Sequence, residues 1–181
     1  LDASQPRPEE YFAEQPFGQV PAYRDDEVRL FESGAILIHL GMQDELLLPS
    51  DANGRSRGIA WVIAALNSVE PAIFPLMMIN IFNKGEAWTE EAKPKFVDRL
   101  ENRLQCVSDA LGEKEWLEDR FTIGDLMMIS VLRQLRGTGV LDKFPNLAAL
   151  VARGEARPAF QRAHSDQLAV FAENEPAGVP A

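Results

Sequence analysis

Residues 16–22 read Pro-Phe-Gly-Gln-Val-Pro-Ala and residues 30–36 read Leu-Phe-Glu-Ser-Gly-Ala-Ile, and the fold turns on what these two stretches do together. Val20–Tyr23 and Val28–Phe31 are short strand-like runs. Between them lies Arg24-Asp25-Asp26-Glu27, a polar turn of hairpin length. Directly after the second run Ser33 opens a compact apolar segment that ends at Leu40, with Gly41 placed to stop it as a C-cap. The pattern predicts strand, strand, helix. Upstream, residues 1–19 are polar and punctuated by Pro6, Pro8 and Pro16, with room for one helical turn around Glu9–Glu14.

The texture changes near residue 50. Pro49, Asp51, Asn53 and Gly54 punctuate a linker, and everything after it reads as helix. The expected organisation is an N-terminal unit over 1–45, a linker over 46–54 and an all-helical unit over 55–181. Arg55–Phe82 is apolar-rich and interrupted by Pro71 and Pro75, so a kink is expected there, because proline lacks the N–H and crowds the preceding turn. Thr89 is placed as the N-cap of the next helix, with Glu90 and Glu91 in its first turn. Val97, Leu100, Leu104, Val107 and Leu111 then recur in steps of three and four and form one stripe. In Phe121–Leu135, Thr122 and Asp125 have the spacing of a capping box, and Phe121 with Leu126 that of a hydrophobic staple. The body Leu126–Leu132 is apolar nearly all round, so this is the expected central helix. Pro145–Ala156 and Pro158–Phe171 complete the helices, and the tail from Glu173 is expected to fray.

Composition narrows the function. The 181 residues carry 28 acidic and 18 basic side chains, a formal net charge of −10. No basic cluster offsets that average, which argues against a nucleic-acid partner. The longest apolar stretch, Ala72–Ile79, falls well short of the roughly 20 residues that span a bilayer, so no membrane partner is expected. The single cysteine, Cys106, excludes an internal disulfide framework and suits a reducing, cytoplasmic setting. It stands beside core position Val107 and reads as a small buried hydrophobe. His39 and His164 have no carboxylate cluster around them, so no metal site is expected.

Four stretches, in this order and spacing, resemble the soluble glutathione transferases. Pro16–Ala22 with Leu30–Ile36 is similar to that family's glutathione-site signature, and Phe121-Thr122-Ile123-Gly124-Asp125 to the start of its folding-box helix. Phe144-Pro145-Asn146-Leu147 and Arg157-Pro158-Ala159-Phe160 resemble its last two helices. The resemblance implies an α+β two-domain fold: a partial thioredoxin-like domain, of which β-β-α remains, followed by an all-α bundle. It also implies a homodimer, no cofactor, and glutathione as co-substrate. The family's N-terminal domain opens with a β–α–β unit of roughly 30 or more residues. Only about twenty residues precede Pro21 here, so the first strand and helix are expected to be missing, and with them the residue that activates the thiol. Tyr11 and Tyr23 are the only phenols, and neither stands where the resembling enzymes place theirs.

By that resemblance the peptide bond before Pro21 is cis, and Val20 turns its N–H and C=O outward to pair with the cysteinyl backbone of glutathione. Without the resemblance, a proline opening an edge strand accounts for Pro21. Ser33, read as an N-cap, leaves open N–H groups at the positive end of a helix, a place for the γ-glutamyl carboxylate. Glu32 can take the ammonium of the same group, Gln19 can hold the glutathione backbone, and Arg7 or Gln5 can meet the glycyl carboxylate. An isolated Glu-Ser pair is otherwise a capped helix beside an exposed acid. Trp61, Phe74, Met77, Met78 and Trp88 are the candidate wall of an electrophile pocket, and bundle core or dimer contact is the alternative for each. The function these features imply is thiolate attack of glutathione on a small hydrophobic electrophile. The alternative is a non-catalytic binding or assembly protein that keeps the glutathione-transferase fold.

Overall fold

The computed structural model describes residues 7–174. After one 3₁₀ turn at Glu9–Ala13, strands β1 (Ala22–Arg24) and β2 (Arg29–Phe31) pair antiparallel, Tyr23 opposite Leu30. Asp25 closes the hairpin: its carboxylate accepts the Glu27 and Val28 N–H groups, each at 2.8 Å. This local bonding is why an aspartate, rather than an apolar residue, begins the turn. Helix α1 (Ser33–Gly41) follows. Gly41 is its last residue and not a left-handed cap, because Met42 continues in helical geometry. Glycine is needed there for closeness: a Cβ on Gly41 would lie 2.7 Å from the Ile123 Cγ2.

The long apolar segment is one helical run over Ala52–Phe82, starting three residues before Arg55. Asp51 caps it, accepting the Gly54 N–H at 2.8 Å. The prolines act differently from the expected kink. Helix α2 (Ala52–Ala64) widens into a π-turn at Ala65–Val69, which makes room for Pro71, and α3 (Glu70–Met77) then carries Pro75 within it. A second π-turn, Met78–Phe82, ends the run. By length and composition this run is apolar enough to cross a membrane, with a mean hydropathy of 1.7 over its window. Its apolar residues are used otherwise: Val62, Ala65, Val69, Ile73 and Leu76 recur in steps of three and four and are all buried in the bundle.

Helix α4 (Ala87–Leu111) starts earlier than expected, so Thr89 is not its cap. Thr89 is buried within the first turn, and its hydroxyl donates to the Glu86 carbonyl at 2.6 Å. Leu100, Leu104, Val107 and Leu111 form the buried stripe. Cys106 is exposed, not buried, because it lies one residue, about 100° of helical rotation, off that stripe. Helix α5 (Ile123–Leu132) is the centre of the bundle and is buried at every position except Leu126 and Ser130. It touches α2 so closely that a Cβ on Gly124 would lie 2.6 Å from the Trp61 Cβ. Helices α6 (Pro145–Glu155) and α7 (Pro158–Glu173) close the chain, α6 burying Leu147 and Leu150, while α7 buries no residue. Gln5 and the tail beyond Asn174 lie outside the described residues.

The capping box forms as expected and does more. Thr122 accepts from the first-turn N–H groups, and the Asp125 carboxylate returns to the Thr122 N–H at 2.9 Å. The other Asp125 oxygen accepts the Leu117 N–H at 2.8 Å, which ties the loop before the helix to its first turn. The Ile123 N–H reaches back to the Leu47 carbonyl at 2.9 Å and fastens the linker to the central helix.

Candidate glutathione site at the start of helix α1

Glu32, not Ser33, is the residue that flanks α1; Ser33 already has helical geometry. Glu32 sits at φ 69°, ψ 119°, in the left-handed half of the map that non-glycine residues rarely occupy. Such outliers persist where the surroundings hold them, and they concentrate at ligand-binding positions. The first intrahelical bond runs from the Ile36 N–H to the Glu32 carbonyl at 3.0 Å. The N–H groups of Ser33, Gly34 and Ala35 therefore have no partner within the helix. No side chain caps this end, so the Ser33 hydroxyl is not spent on capping either. A cluster of N–H donors with the helix dipole behind it attracts an anion such as a carboxylate.

Pro21 and Ser33 line one cleft of about 370 Å³ between α1, the long helical run and α5. The Val20–Pro21 peptide bond is cis. Val20 is exposed, and Gln19 beside it is exposed with its carbonyl taken by the Tyr11 hydroxyl at 2.6 Å. Arg7 is turned to the same loop, its Nε donating to the Gly18 carbonyl at 3.3 Å. Opposite Ser33, the cleft wall carries Glu70 and Gln134, which bond to each other at 2.8 Å. No sequence signal pointed to this pair, since 64 positions separate its members and only the packing of α3 on α5 joins them.

Both phenol hydroxyls are engaged, that of Tyr11 by the Gln19 carbonyl. The Tyr23 hydroxyl donates to Asp25 at 3.0 Å, and that bond raises its pKa. Asp25 itself is lowered to about 2, chiefly by the Val28 and Glu27 N–H groups. His39 joins this cluster through Asp25 at 3.3 Å and Gln43 at 3.0 Å. Among the described residues no cluster of metal-ligating side chains occurs.

The five residues expected to wall an electrophile pocket do not come together. Trp61 and Met77 are sixteen positions apart along one helical run, roughly 24 Å at 1.5 Å per residue. Trp61 faces α5, and its indole N–H donates to Glu118 at 2.9 Å, a carboxylate also held by Arg57 at 2.6 Å. Phe74 and Trp88 are exposed, and Met78 is half-buried. Met77 lines a second cleft, of about 460 Å³, which shares Gln134 with the first.

The profile described as the glutathione S-transferase N-terminal domain matches residues 1–41, and that of the C-terminal domain matches residues 76–162. A glutathione S-transferase of Escherichia coli O157:H7 is 32% identical over 163 residues, covering 87% of this chain and 78% of the relative. The chain belongs to the glutathione S-transferase family. A second member, from Hyoscyamus muticus, is 30% identical over 179 residues, covering 90% of this chain and 82% of its own. Among solved structures, a glutathione transferase from Burkholderia graminis with two glutathione molecules bound per subunit superposes with a TM-score of 0.77 at 29% identity, covering 86% of this chain and 70% of that one. A family member from Pseudomonas fluorescens, also with two glutathione bound, gives 0.79 at 28%, with coverages of 86% and 74%. The fold is therefore that of a glutathione transferase: the β1–β2–α1 unit belongs to its thioredoxin-like domain and the remaining helices to its C-terminal domain.

Proposed function

We propose that this glutathione transferase holds glutathione at the start of α1 and promotes attack of its thiolate on a small hydrophobic electrophile. The observation that supports this most is the convergence of Pro21 and the open N-terminus of α1 on one cleft, with Glu32 held in left-handed geometry at its edge. In this reading the γ-glutamyl carboxylate takes the N–H groups and hydroxyl at Ser33, and Glu32 takes the ammonium. Val20 pairs its N–H and C=O with the cysteinyl backbone, as an added strand does, and Gln19 supports it. Glutathione is a co-substrate, and no cofactor or metal takes part. The protein acts as a homodimer in the cytoplasm, without a nucleic-acid or membrane partner. The net charge of −10 supports the exclusion of nucleic acid.

Calorimetric titration with glutathione tests the site. Saturable binding is expected, weakened by Ser33→Ala and by Glu32→Ala, each by about 1.5–3 kcal/mol for a lost hydrogen bond to a charged group. Binding that neither substitution touches would move the site elsewhere. A folded chain that does not bind glutathione at all would favour a non-catalytic binding or assembly role for the same fold.

A further inference from the structure

The cleft at Pro21 and Ser33 holds a single charged side chain, Glu70, among walls that are otherwise apolar or neutral. No Lys, Arg or His lines it to balance that charge. Glu70 follows directly on the π-turn Ala65–Val69, and its N–H closes that turn on the Ala65 carbonyl. Leu66 within the turn and Glu70 just after it both face the cleft, and such turns occur often at functional sites. The Glu70 side chain is half-buried. One of its oxygens accepts the Gln134 side-chain N–H at 2.8 Å, which fixes the carboxylate against the end of α5. The other oxygen has no hydrogen-bond partner, and Glu70 makes no ion pair, among the described residues. The carboxylate is thus held in place by one bond and left open at its second oxygen.

A half-buried carboxylate with an open oxygen and no counter-charge gains most from a ligand that brings a positive charge, because the pair attracts more strongly away from bulk water. A neutral ligand gains nothing from that charge, and an anion is repelled by it. The net charge of −10 acts in the same direction at long range, drawing cations toward the surface. Leu37, Leu66, Met127 and Val131 give an apolar body something to pack on, and about 370 Å³ is within the range of small-molecule sites. The γ-glutamyl ammonium of glutathione has its own acid: it shares a carbon with the carboxylate at the start of α1, beside Glu32, whereas Glu70 stands across the cleft on α3. We infer that Glu70 is a specificity-determining residue for the second substrate, and that the electrophile it selects carries an ammonium group on a small apolar body. Glutathione thiolate then attacks the electrophilic carbon, the C–S bond forms as the bond to the leaving group breaks with its electron pair, and the thiol proton goes to solvent. The assignment as second substrate rests on the function proposed above; the cation site itself does not.

The test uses 1-naphthylmethylammonium as the cationic probe and 1-naphthalenemethanol as a neutral one of the same shape, followed by naphthalene fluorescence in the absence of glutathione. Saturable binding of the cation is expected, tighter than that of the alcohol and weakened by added salt. Glu70→Gln keeps the side-chain shape and an oxygen for Gln134, so the melting temperature should hold. It should weaken cation binding by about tenfold, in keeping with one partly screened charge contact. Binding of the alcohol and of glutathione should change less than twofold. Turnover is then compared for [4-(bromomethyl)benzyl]trimethylammonium and its neutral isostere 4-neopentylbenzyl bromide at saturating glutathione. The ratio of their kcat/KM values, cation over neutral, should fall by about tenfold in Glu70→Gln. Equal cation affinity in the variant and the parent, or an equal loss for both probes, overturns the cation site. A loss of glutathione affinity as large as that of the cation also overturns it, since the carboxylate would then serve glutathione. Failure of the parent to bind glutathione, with the cation effect intact, removes the second-substrate assignment and leaves the cation site standing.

Discussion

Replacing Asp125 by alanine should cost more than the loss of a helix cap. The carboxylate is fully buried and both oxygens are committed, one to the Leu117 N–H at 2.8 Å, the other to the Thr122 N–H at 2.9 Å and hydroxyl at 3.2 Å. Burial raises its pKa against the pull of those hydrogen bonds. Alanine leaves two buried backbone N–H groups without an acceptor, each worth about 1–3 kcal/mol when orphaned. Relief of the buried carboxyl group offsets part of that, so the net loss should be about 2–4 kcal/mol. The spacing Thr-x-x-Asp alone gives only about 0.5–2 kcal/mol, the cost of a cap. The excess is the bond to Leu117. Urea unfolding followed by circular dichroism measures it as a shift in midpoint at unchanged slope, and a melting scan should show a fall of roughly 4–16 °C at about 2–4 °C per kcal/mol. Thr122→Ala is the comparison: it removes the cap hydroxyl but keeps the Leu117 bond, and should cost about 0.5–2 kcal/mol. The double variant should lose less than the sum, since the two side chains share one network. An Asp125→Ala loss below about 1 kcal/mol, or equal to that of Thr122→Ala, would refute the argument that the Leu117 bond carries the difference.

Two further outcomes follow from the geometry. Trp61→Phe, which removes the indole bond to Glu118, should lower stability by about 0.5–1.5 kcal/mol and leave glutathione and electrophile affinities unchanged; a changed affinity would return Trp61 to the ligand pocket. Asp25 should titrate near 2 rather than at its ordinary 3.8. Because its folded-state pKa lies below the unfolded one, its stabilising effect is present above about pH 4 and is lost as pH falls toward 2. Carboxyl NMR reads this directly, and a midpoint near 3.8 would mean that the Glu27 and Val28 N–H bonds do not hold the turn in solution.

The parts of the molecule that were legible in the sequence are those set by local rules. The hairpin was marked by a polar four-residue turn between two apolar runs, and Asp25 closes it through bonds to residues two and three positions on. The stripe Leu100, Leu104, Val107, Leu111 was readable because helical periodicity puts those positions on one face. The Thr122–Asp125 box was readable because both of its members lie within one turn.

What failed were readings that needed to know which faces meet. Cys106 beside a core residue points away from the core, since adjacent positions on a helix differ by about 100°. Gly41 had the signature of a helix stop, but its absent side chain serves the approach of Ile123 from a helix eighty residues away. Trp61 and Met77 share a composition that suits a pocket, yet a continuous helix holds them on different parts of the bundle. Sequence by itself thus determined the order of elements and the family signature, because each depends on neighbours within a few positions. Tertiary structure alone decided that Pro21 and Ser33 open on one cleft and that Gln134 joins it to a second. Those facts arise from the packing of distant segments, where the register of one helix against another fixes which side chains face the same space.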